Sequence, residues 1–149
     1  MSRTLGVDLG ARRIGLAVTD PSGVLASPYA TLTRSGDQSD DHRAIVDAAR
    51  EVGALRIVVG LPRSLSGDLG PAARSVLDEV EALRLLARAD GVEVSTYDER
   101  FTTMIAQHAI RDAHPRRNRR RRAQREQIDA AAATVILQSW LEAGGQARG

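Results

Sequence analysis

The fold is decided by the stretch TLGVDLGARRIGLAVT, residues 4–19. It contains two runs rich in aliphatic and β-branched residues, 4–9 and 14–19, separated by a short connection of glycine, alanine and two arginines. This pattern predicts two neighbouring antiparallel strands. A third strand is expected over residues 24–32, after a turn that contains proline and glycine, and Pro28 favours an edge or bulged strand. The opening of the chain therefore predicts a three-stranded antiparallel meander.

Downstream of the meander, helical and strand patterns alternate, because apolar residues recur first at helical spacing and then in short β-branched runs. They predict a helix over 39–52 capped by Ser39, a strand over 55–59, a helix from Pro71 to Gly91, a strand over 92–97, a helix from Thr102 or Thr103 to His114, and a last helix over about 124–142. The order implies an α/β fold with a five-stranded mixed central sheet. Strands four and five extend the antiparallel meander in parallel, helices flank the sheet, and ligands are expected at the carboxyl ends of the central strands.

Length and composition favour one domain, residues 1–149, with a core of its own. The chain has no cysteine, which excludes disulfide scaffolds, thiolate zinc sites and cysteine nucleophiles. No stretch approaches the roughly 20 apolar residues of a membrane span. We expect a soluble, cytoplasmic protein without a membrane partner, either a monomer or a homodimer.

Charge is distributed unevenly along the chain. All 21 basic residues are arginine; seven lie within residues 116–125, which contain no acid, and the other 139 residues carry 14 arginines against 19 acids, a net charge of −5. Because the planar guanidinium suits phosphate, residues 114–125 are predicted to be a basic, mobile segment that binds nucleic acid. A solvated loop without a ligand is the alternative. The predicted binding residues of this segment are Arg116, Arg117, Arg119, Arg120, Arg121, Arg122 and Arg125.

Three acidic residues from distant parts of the chain are candidates for one site. Asp8 lies near the end of the buried first strand, Glu99 follows the fifth strand, and Asp129 shares a face of the last helix with apolar residues. Each also has a structural explanation: a strand-end hydrogen bond for Asp8, a partner for Arg100 in the case of Glu99, and the helix dipole for Asp129. Parallel strands end at one edge, so the three acids together predict a carboxylate cluster that needs a counter-charge.

The ligand types in this cluster indicate its metal. Oxygen ligands without cysteine or histidine nearby in sequence favour Mg²⁺ or Mn²⁺ over zinc. Two such ions, about 3.5–4 Å apart, promote in-line displacement at phosphorus, because one activates water and the other stabilises the leaving oxygen. The acids therefore predict phosphodiester hydrolysis at a two-metal site formed by Asp8, Glu99 and Asp129.

Four stretches carry a family resemblance: residues 6–20, 59–70, 98–103 and 128–137. They contain GVDLG with RIG and AVTD, then VGLP with two later glycines, then DERFTT, and finally IDAAAA followed by IL. In these motifs, which span nearly the whole chain in order, it resembles the YqgF/RuvX family of RNase H-like nucleases, relatives of the RuvC Holliday junction resolvase. The resemblance implies an RNase H-like fold whose catalytic metal ligands are Asp8, Glu99 and Asp129.

The resemblance also implies a function: a nuclease that processes the 5′ end of precursor 16S rRNA in ribosome biogenesis, or one that resolves Holliday junctions in branched DNA. Arg13 and Arg100 lie within the shared motifs and are predicted to bind nucleic acid. The family's basic stretch before the last helix is rich in lysine and is arginine throughout here, which favours bidentate phosphate contacts. RuvC-type sites take a fourth acid from the last helix. Whether Glu126 supplies it here stays open, because Ala132 stands three residues after Asp129.

Two hypotheses from other functional classes stay open beside the metal-dependent endonuclease. A non-catalytic module that grips rRNA would use the same acids and arginines without turnover, since ligands alone do not establish a rate. A sugar-kinase or actin-like ATPase is suggested by Asp8-Leu9-Gly10 and Gly15, which resemble the first phosphate loop of that superfamily. Such proteins need two lobes, and 149 residues supply one.

Overall fold

The computed structural model describes residues 2–64, 66–102 and 121–145, with side chains from residue 130 onward in the last range. Its elements are β1 (Arg3–Leu9), β2 (Arg13–Thr19), β3 (Ala26–Thr33), α1 (Gln38–Glu51), β4 (Ala54–Leu61), α2 (Pro71–Arg88), β5 (Glu93–Asp98), a 3₁₀ turn (Glu99–Phe101) and α3 (Arg121–Glu142). The predicted order of these elements is confirmed, with strand ends shifted by one or two residues. The predicted helix that ends at His114 lies outside the described residues from position 103 onward. None of the described helices combines the length and apolar character needed to span a membrane.

The five strands form one mixed sheet in the order β3-β2-β1-β4-β5. β2 pairs antiparallel with β1 and β3, whereas β4 is parallel to β1 and β5 is parallel to β4, as predicted. The parallel registers align Val7 with Val59, and Gly60 with Tyr97, so β1, β4 and β5 end on the same side. We call this side of the sheet the carboxyl edge.

β3 is an edge strand and also carries a bulge, which are the two outcomes that Pro28 favours. Leu16 pairs with Ala30 and Ala17 pairs with Pro28, so Tyr29 is the extra residue. Proline has no N–H to donate to a neighbouring strand, and an edge position removes the need for that donor.

The sheet is covered on both faces, but the two layers differ in depth. α1 and α2 cover one face, where the larger core contains Leu5, Val7, Ile45, Ile57 and Leu83. α3 covers the other face and packs closely on small residues. A Cβ at Gly6 would lie 2.8 Å from the Cβ of Leu137 and 3.1 Å from the carbonyl oxygen of Ala133. Glycine is therefore needed at this position for α3 to approach β1 so closely.

α3 runs in the direction opposite to β1 and β4. Ile136 packs over Gly60 near the end of β4. One turn later along α3, the Trp140 ring lies 5.6 Å from the guanidinium of Arg56, near the start of β4. The first half of α3 therefore extends towards the carboxyl edge.

Two helix starts differ from the predictions. α1 is capped by Asp37 rather than Ser39, because the Asp37 side chain accepts a hydrogen bond from the Ser39 backbone N–H at 2.8 Å. α3 begins at Arg121 instead of about residue 124, so residues 121–125 of the predicted mobile segment are helical. Arginine, alanine and glutamine are strong helix formers, and neither glycine nor proline interrupts them. The remaining part of that segment, residues 114–120, lies outside the described residues.

Candidate active site

Asp8 stands at the carboxyl edge, next to the last residue of β1. Side chains alternate between the faces of a strand, so Asp8 lies on the same face as Gly6, the face covered by α3. The turn that follows Asp8 is tight. The Gly10 N–H donates to the carbonyl oxygen of Asp8 at 3.1 Å, and a Cβ at Gly10 would lie 2.5 Å from the carbonyl oxygen of Arg13. Strand and turn together hold this carboxylate where the sheet meets α3.

Glu99 begins the 3₁₀ turn that directly follows β5. Its side chain turns back over the sheet, because a Cβ placed on Gly60 near the end of β4 would lie 2.9 Å from Glu99 Oε1. β4 lies between β5 and β1, and Gly60 stands one position beyond the pair of Val7 and Val59. Gly60 therefore leaves room for the Glu99 carboxylate above the strand that neighbours Asp8.

Glu99 and Asp8 interact electrostatically. Burial raises the pKa of Glu99 above its ordinary value, and the negative charges of Asp8 and Asp98 raise it further. A cation beside these carboxylates would relieve the repulsion between them. Their oxygen atoms are the ligands that Mg²⁺ and Mn²⁺ prefer, so the pair fits the predicted metal chemistry.

Asp129 belongs to α3, whose backbone is described, but its side chain lies outside the described part of the chain. The residue stands one helical turn before Ala133, which packs on Gly6. From Gly6 to Asp8, β1 advances about 6.6 Å towards the carboxyl edge. Because α3 runs opposite to β1, going back one turn from Ala133 to residue 129 also moves about 5.4 Å towards that edge. The backbone therefore carries position 129 towards Asp8. Among the described side chains, no three His, Asp or Glu residues form a group able to hold a metal, so the third ligand stays a prediction.

The predicted nucleic-acid-binding arginines fall into two groups. Arg13 begins β2 and lies partly buried at the edge where β1 ends. Arg100 lies in the 3₁₀ turn directly after Glu99. The side chains of the seven arginines between 116 and 125, and that of Glu126, lie outside the described residues, so their contacts stay predictions.

Sequence reasoning missed two residues beside Glu99, namely Asp98 and Arg63. The Asp98 carboxylate accepts hydrogen bonds from the backbone N–H of Arg100 at 2.9 Å, from its Nε at 3.0 Å and from its Nη2 at 2.7 Å. Nε of Arg63 lies 3.8 Å from the same carboxylate. Hydrogen bonds from the Arg100 side chain hold the pKa of Asp98 below its ordinary value, helped by the charges of both arginines against a smaller effect of burial. The sequence offered Arg100 as a partner of Glu99, whereas the structure pairs it with Asp98, two residues earlier, and nothing in the sequence signalled Arg63.

A second group that sequence reasoning missed is a buried network beside the turn after Asp8. Arg34 Nε donates to the carbonyl oxygen of Gly10 at 2.8 Å, and its two Nη atoms donate to Glu79 at 2.8 and 2.9 Å. Nε2 of His42 lies 2.9 Å from Oε1 of Glu79. Burial acts to raise the pKa of Glu79, but the hydrogen bonds and charges of Arg34 and His42 outweigh it, and the pKa is lowered. The network ties α1 and α2 to the turn that follows Asp8.

Known proteins resemble this chain over most of its length. A family model described as RuvX, Holliday junction resolvase, matches residues 2–143. A protein of Mycobacterium sp. (strain KMS) named "Putative pre-16S rRNA nuclease" is 42% identical over 140 residues, which cover 94% of this chain and 79% of that protein. A protein of the same name from Mycobacteroides abscessus is 44% identical over 140 residues, covering 94% and 81%.

Solved structures of RuvC share the fold. RuvC of T. thermophilus in complex with a Holliday junction substrate has a TM-score of 0.62 at 14% identity, covering 97% of each chain. A second Thermus thermophilus RuvC structure has a TM-score of 0.58 at 15% identity, covering 95% of this chain and 96% of that one. These similarities concern the fold, which is the RNase H-like fold that the sequence predicts. Because the family model covers nearly the whole chain and the relatives exceed 40% identity over most of it, the chain belongs to the RuvX family.

Proposed function

We propose that this chain is a divalent-metal-dependent endonuclease that hydrolyses phosphodiester bonds, and that its substrate is the 5′ end of precursor 16S rRNA. Membership of the RuvX family supports the reaction class, and the names of the relatives support the substrate. The observation that carries the proposal is the Glu99 carboxylate at the carboxyl edge, which lies over Gly60 and in the field of Asp8. Asp8 near the end of β1 and Glu99 directly after β5 bring two acids to one edge of the sheet, which supports phosphodiester hydrolysis with metal ions.

Asp8 and Glu99, with Asp129 as the predicted third ligand, would hold Mg²⁺ or Mn²⁺ at the carboxyl edge. The carboxylates themselves support this fit, because the negative charges of Asp8 and Glu99 repel each other and a bound cation would remove that repulsion. When bound, two such ions supply an activated water at neutral pH and charge stabilisation at the leaving oxygen.

The chain's own residues prepare the site for this reaction. Gly60 leaves the space in which the Glu99 carboxylate lies, and Gly10 permits the tight turn after Asp8. Arg34 donates to the carbonyl oxygen of Gly10 at 2.8 Å and so fixes that turn from the side of α1 and α2. Such positioning matters because a misplacement of about 1 Å can cost about 10²-fold in rate.

The partner we propose is structured nucleic acid, recognised by its backbone and shape. The chain has only four aromatic residues, and Trp140 is buried, so a platform for stacking several bases is not available among the described side chains. Precursor rRNA is processed in the bacterial cytoplasm, so we propose that the chain acts there. A monomer suffices for one cut in rRNA, whereas symmetric cuts in a four-way junction require a two-fold dimer.

A side-by-side cleavage assay tests the proposal. Precursor 16S rRNA and a four-way DNA junction are each incubated with the protein and with Mg²⁺ or Mn²⁺, and a chelator serves as the blank. We expect cleavage of the RNA at its mature 5′ end. Asp8→Asn is expected to abolish this cleavage with little loss of stability. Asp47→Asn, which changes an exposed acid in the middle of α1, is the matched control and should cleave normally.

Three results would contradict parts of the proposal. Normal cleavage by Asp8→Asn would remove this acid from the site. Cleavage of the junction without cleavage of the RNA would assign the chain to branched DNA. Tight binding of rRNA without cleavage in either metal would make the chain a binding module.

A further inference from the structure

Asp98, Arg63 and Arg100 form a polar cluster at the carboxyl edge, next to Glu99. Asp98 is the best covered of the three, with 13% of its side chain exposed, whereas Arg100 and Arg63 expose 26% and 35%. The carboxylate lies inside and the two guanidiniums lie further out. Two positive charges around one negative charge leave the cluster with a net charge of +1.

The connection between β4 and α2 folds against this cluster. Gly67 has a φ of +90°, and its N–H donates to the carbonyl oxygen of Ser64 at 2.9 Å, which closes a tight turn. A Cβ on Gly67 would lie 3.2 Å from Nη1 of Arg100. Nη1 of Arg63 donates to the carbonyl oxygen of Gly67 at 3.5 Å. Glycine is therefore required here both for the left-handed backbone and for the close approach of the arginines.

The charge of Asp98 is compensated where it stands by the hydrogen bonds and the positive charge of Arg100. Its negative charge adds to those of Glu99 and Asp8, in a place that has to accept a phosphate. Its carboxylate caps the 3₁₀ turn by accepting the Arg100 backbone N–H, whereas the ion pairs themselves, near the surface, contribute little to stability. Asp98 also fixes the direction of the Arg100 guanidinium, because its carboxylate accepts hydrogen bonds from Nε and Nη2.

We propose that Asp98 positions Arg63 and Arg100 as a clamp for one backbone phosphate of the bound nucleic acid, beside the phosphate that is cleaved. A guanidinium is a planar fork with five N–H groups, so one edge can hold a carboxylate while another meets a phosphate. The inference rests on the proposed nuclease function and adds to it a phosphate contact, Arg63, and a positioning residue, Asp98. A phosphate held next to Glu99 would set which bond of the strand reaches the carboxylate pair.

The salt dependence of binding, measured without cleavage, tests the clamp. A fluorescein-labelled hairpin RNA with the 5′ end of precursor 16S rRNA, and a labelled four-way DNA junction, are titrated in EDTA at several salt concentrations. Fluorescence anisotropy gives the binding constant. Each phosphate contact contributes about 0.7–0.9 to the slope of log K against log salt concentration. We expect Arg63→Ala to weaken binding about tenfold, as for loss of a hydrogen bond between charged groups.

The double variant Arg63→Ala/Arg100→Ala shows whether both arginines hold the same phosphate. A shared phosphate predicts that the double variant lowers the slope by one contact, about 0.7–0.9, whereas two separate phosphates predict about twice that loss. Asp98→Asn removes a negative charge, so electrostatics alone predicts tighter binding. The clamp predicts weaker binding, because the arginines lose their orientation.

A matched control lies far from the site. Arg43 pairs with Asp90 at 3.5 Å, between α1 and the end of α2, so Arg43→Ala removes the same charge without touching the carboxyl edge. It should leave the affinity within about twofold of the wild type, as expected for a charge outside the contact region. Circular dichroism shows whether each variant is folded. If Asp98→Asn does not fold, Arg63→Ala and the double variant Arg63→Ala/Arg100→Ala still test the phosphate contact.

The outcomes separate the clamp from the nuclease. Unchanged affinity of Arg63→Ala, a slope loss of two contacts in the double variant, or tighter binding by Asp98→Asn would each overturn the clamp. Failure of the nuclease proposal appears instead as a wild-type protein that binds the probes and does not cleave them when Mg²⁺ is added. A wild-type protein that binds neither probe would overturn both.

Discussion

Gly60→Ala is the substitution that most directly separates the site from the fold. A Cβ at this position would lie 2.5 Å from Cδ1 of Ile136 and 2.9 Å from Oε1 of Glu99. The backbone of Gly60 is not in the left-handed region, so alanine meets no backbone strain there. The conflict is purely steric, and one of the two opposing atoms belongs to the candidate metal ligand.

The size of the effect follows from what the new methyl group meets. To restore contacts of about 3.4 Å, Cδ1 of Ile136 must retreat by about 0.9 Å and Oε1 of Glu99 by about 0.5 Å. Both are ends of side chains that can rotate, so the loss of unfolding free energy should be about 1 kcal/mol, the lower limit for overpacking. Cleavage should fall by about 10-fold, because the carboxylate is displaced by about 0.5 Å and a displacement of about 1 Å can cost about 10²-fold.

The two effects are measured on the same preparations. Single-turnover cleavage of precursor 16S rRNA reports the activity, and urea unfolding reports the stability. Gly6→Ala is the contrast, because a Cβ there would meet Cβ of Leu137 and the carbonyl oxygen of Ala133, which cannot rotate away. It should lower the unfolding free energy by about 2–3 kcal/mol. Gly70→Ala is the control for adding a methyl group, since nothing lies within 4 Å of a Cβ at that position.

Two results would refute this reasoning. Wild-type cleavage by Gly60→Ala, alongside an inactive Glu99→Gln protein, would show that the Glu99 carboxylate does not lie over Gly60. A Gly60→Ala protein as unstable as Gly6→Ala would show that the new methyl group meets more than rotatable side-chain ends.

Three further predictions concern charged groups. Glu79→Gln leaves the partly buried Arg34 without its bidentate partner and should lower the unfolding free energy by about 3 kcal/mol in urea; a loss below about 1 kcal/mol would contradict a structural role for the pair. Glu99→Gln should stabilise the metal-free protein at neutral pH. The raised pKa of Glu99 means that its contribution to stability is present below the ordinary pKa and lost as the pH rises through the raised one, so thermal melts in EDTA should show a difference that grows with pH. Hydrogen bonding to Ser22 and to the following backbone lowers the pKa of Asp20 from 3.8 to about 2. Its contribution is present above pH 3.8 and lost as the pH falls through about 2, so acid unfolding curves of wild type and Asp20→Asn should converge there.

Most of the fold could be predicted because each strand carries its signal locally. The runs that became β1 and β2 are short, apolar and bounded by turn residues, and Pro28 marks the bulged edge strand within a few residues. The start of α1 was harder, since Asp37 and Ser39 are both good caps. The backbone path out of β3 decides between them, and there Ser35 donates its N–H to Asp41, inside the helix, at 2.9 Å.

The site could be predicted only in part. The approach of Asp8 and Glu99 to one edge of the sheet could be predicted, because each lies at the end of a strand and parallel strands end together, and their role as metal ligands stays a prediction. The pairing of Arg34 with Glu79 could not be found, because any of 21 arginines could meet any of 19 acids. The packing of α2 on the sheet brings Glu79 to Arg34, and no local sequence pattern predicts that packing.

The two faces of the sheet explain how costly charges coexist with a stable fold. The face covered by α1 and α2 contains the large aliphatic side chains, and it is closed at the turn after Asp8 by a fully hydrogen-bonded ion pair. The face covered by α3 has glycine at position 6, where the helix backbone lies close to the sheet. At Gly6 an added methyl group meets that backbone, and the whole helix has to shift. At Gly60, closer to the carboxyl edge, it meets the tip of one aliphatic side chain and the carboxylate of Glu99. The same methyl group therefore costs mainly stability at the first position and mainly activity at the second.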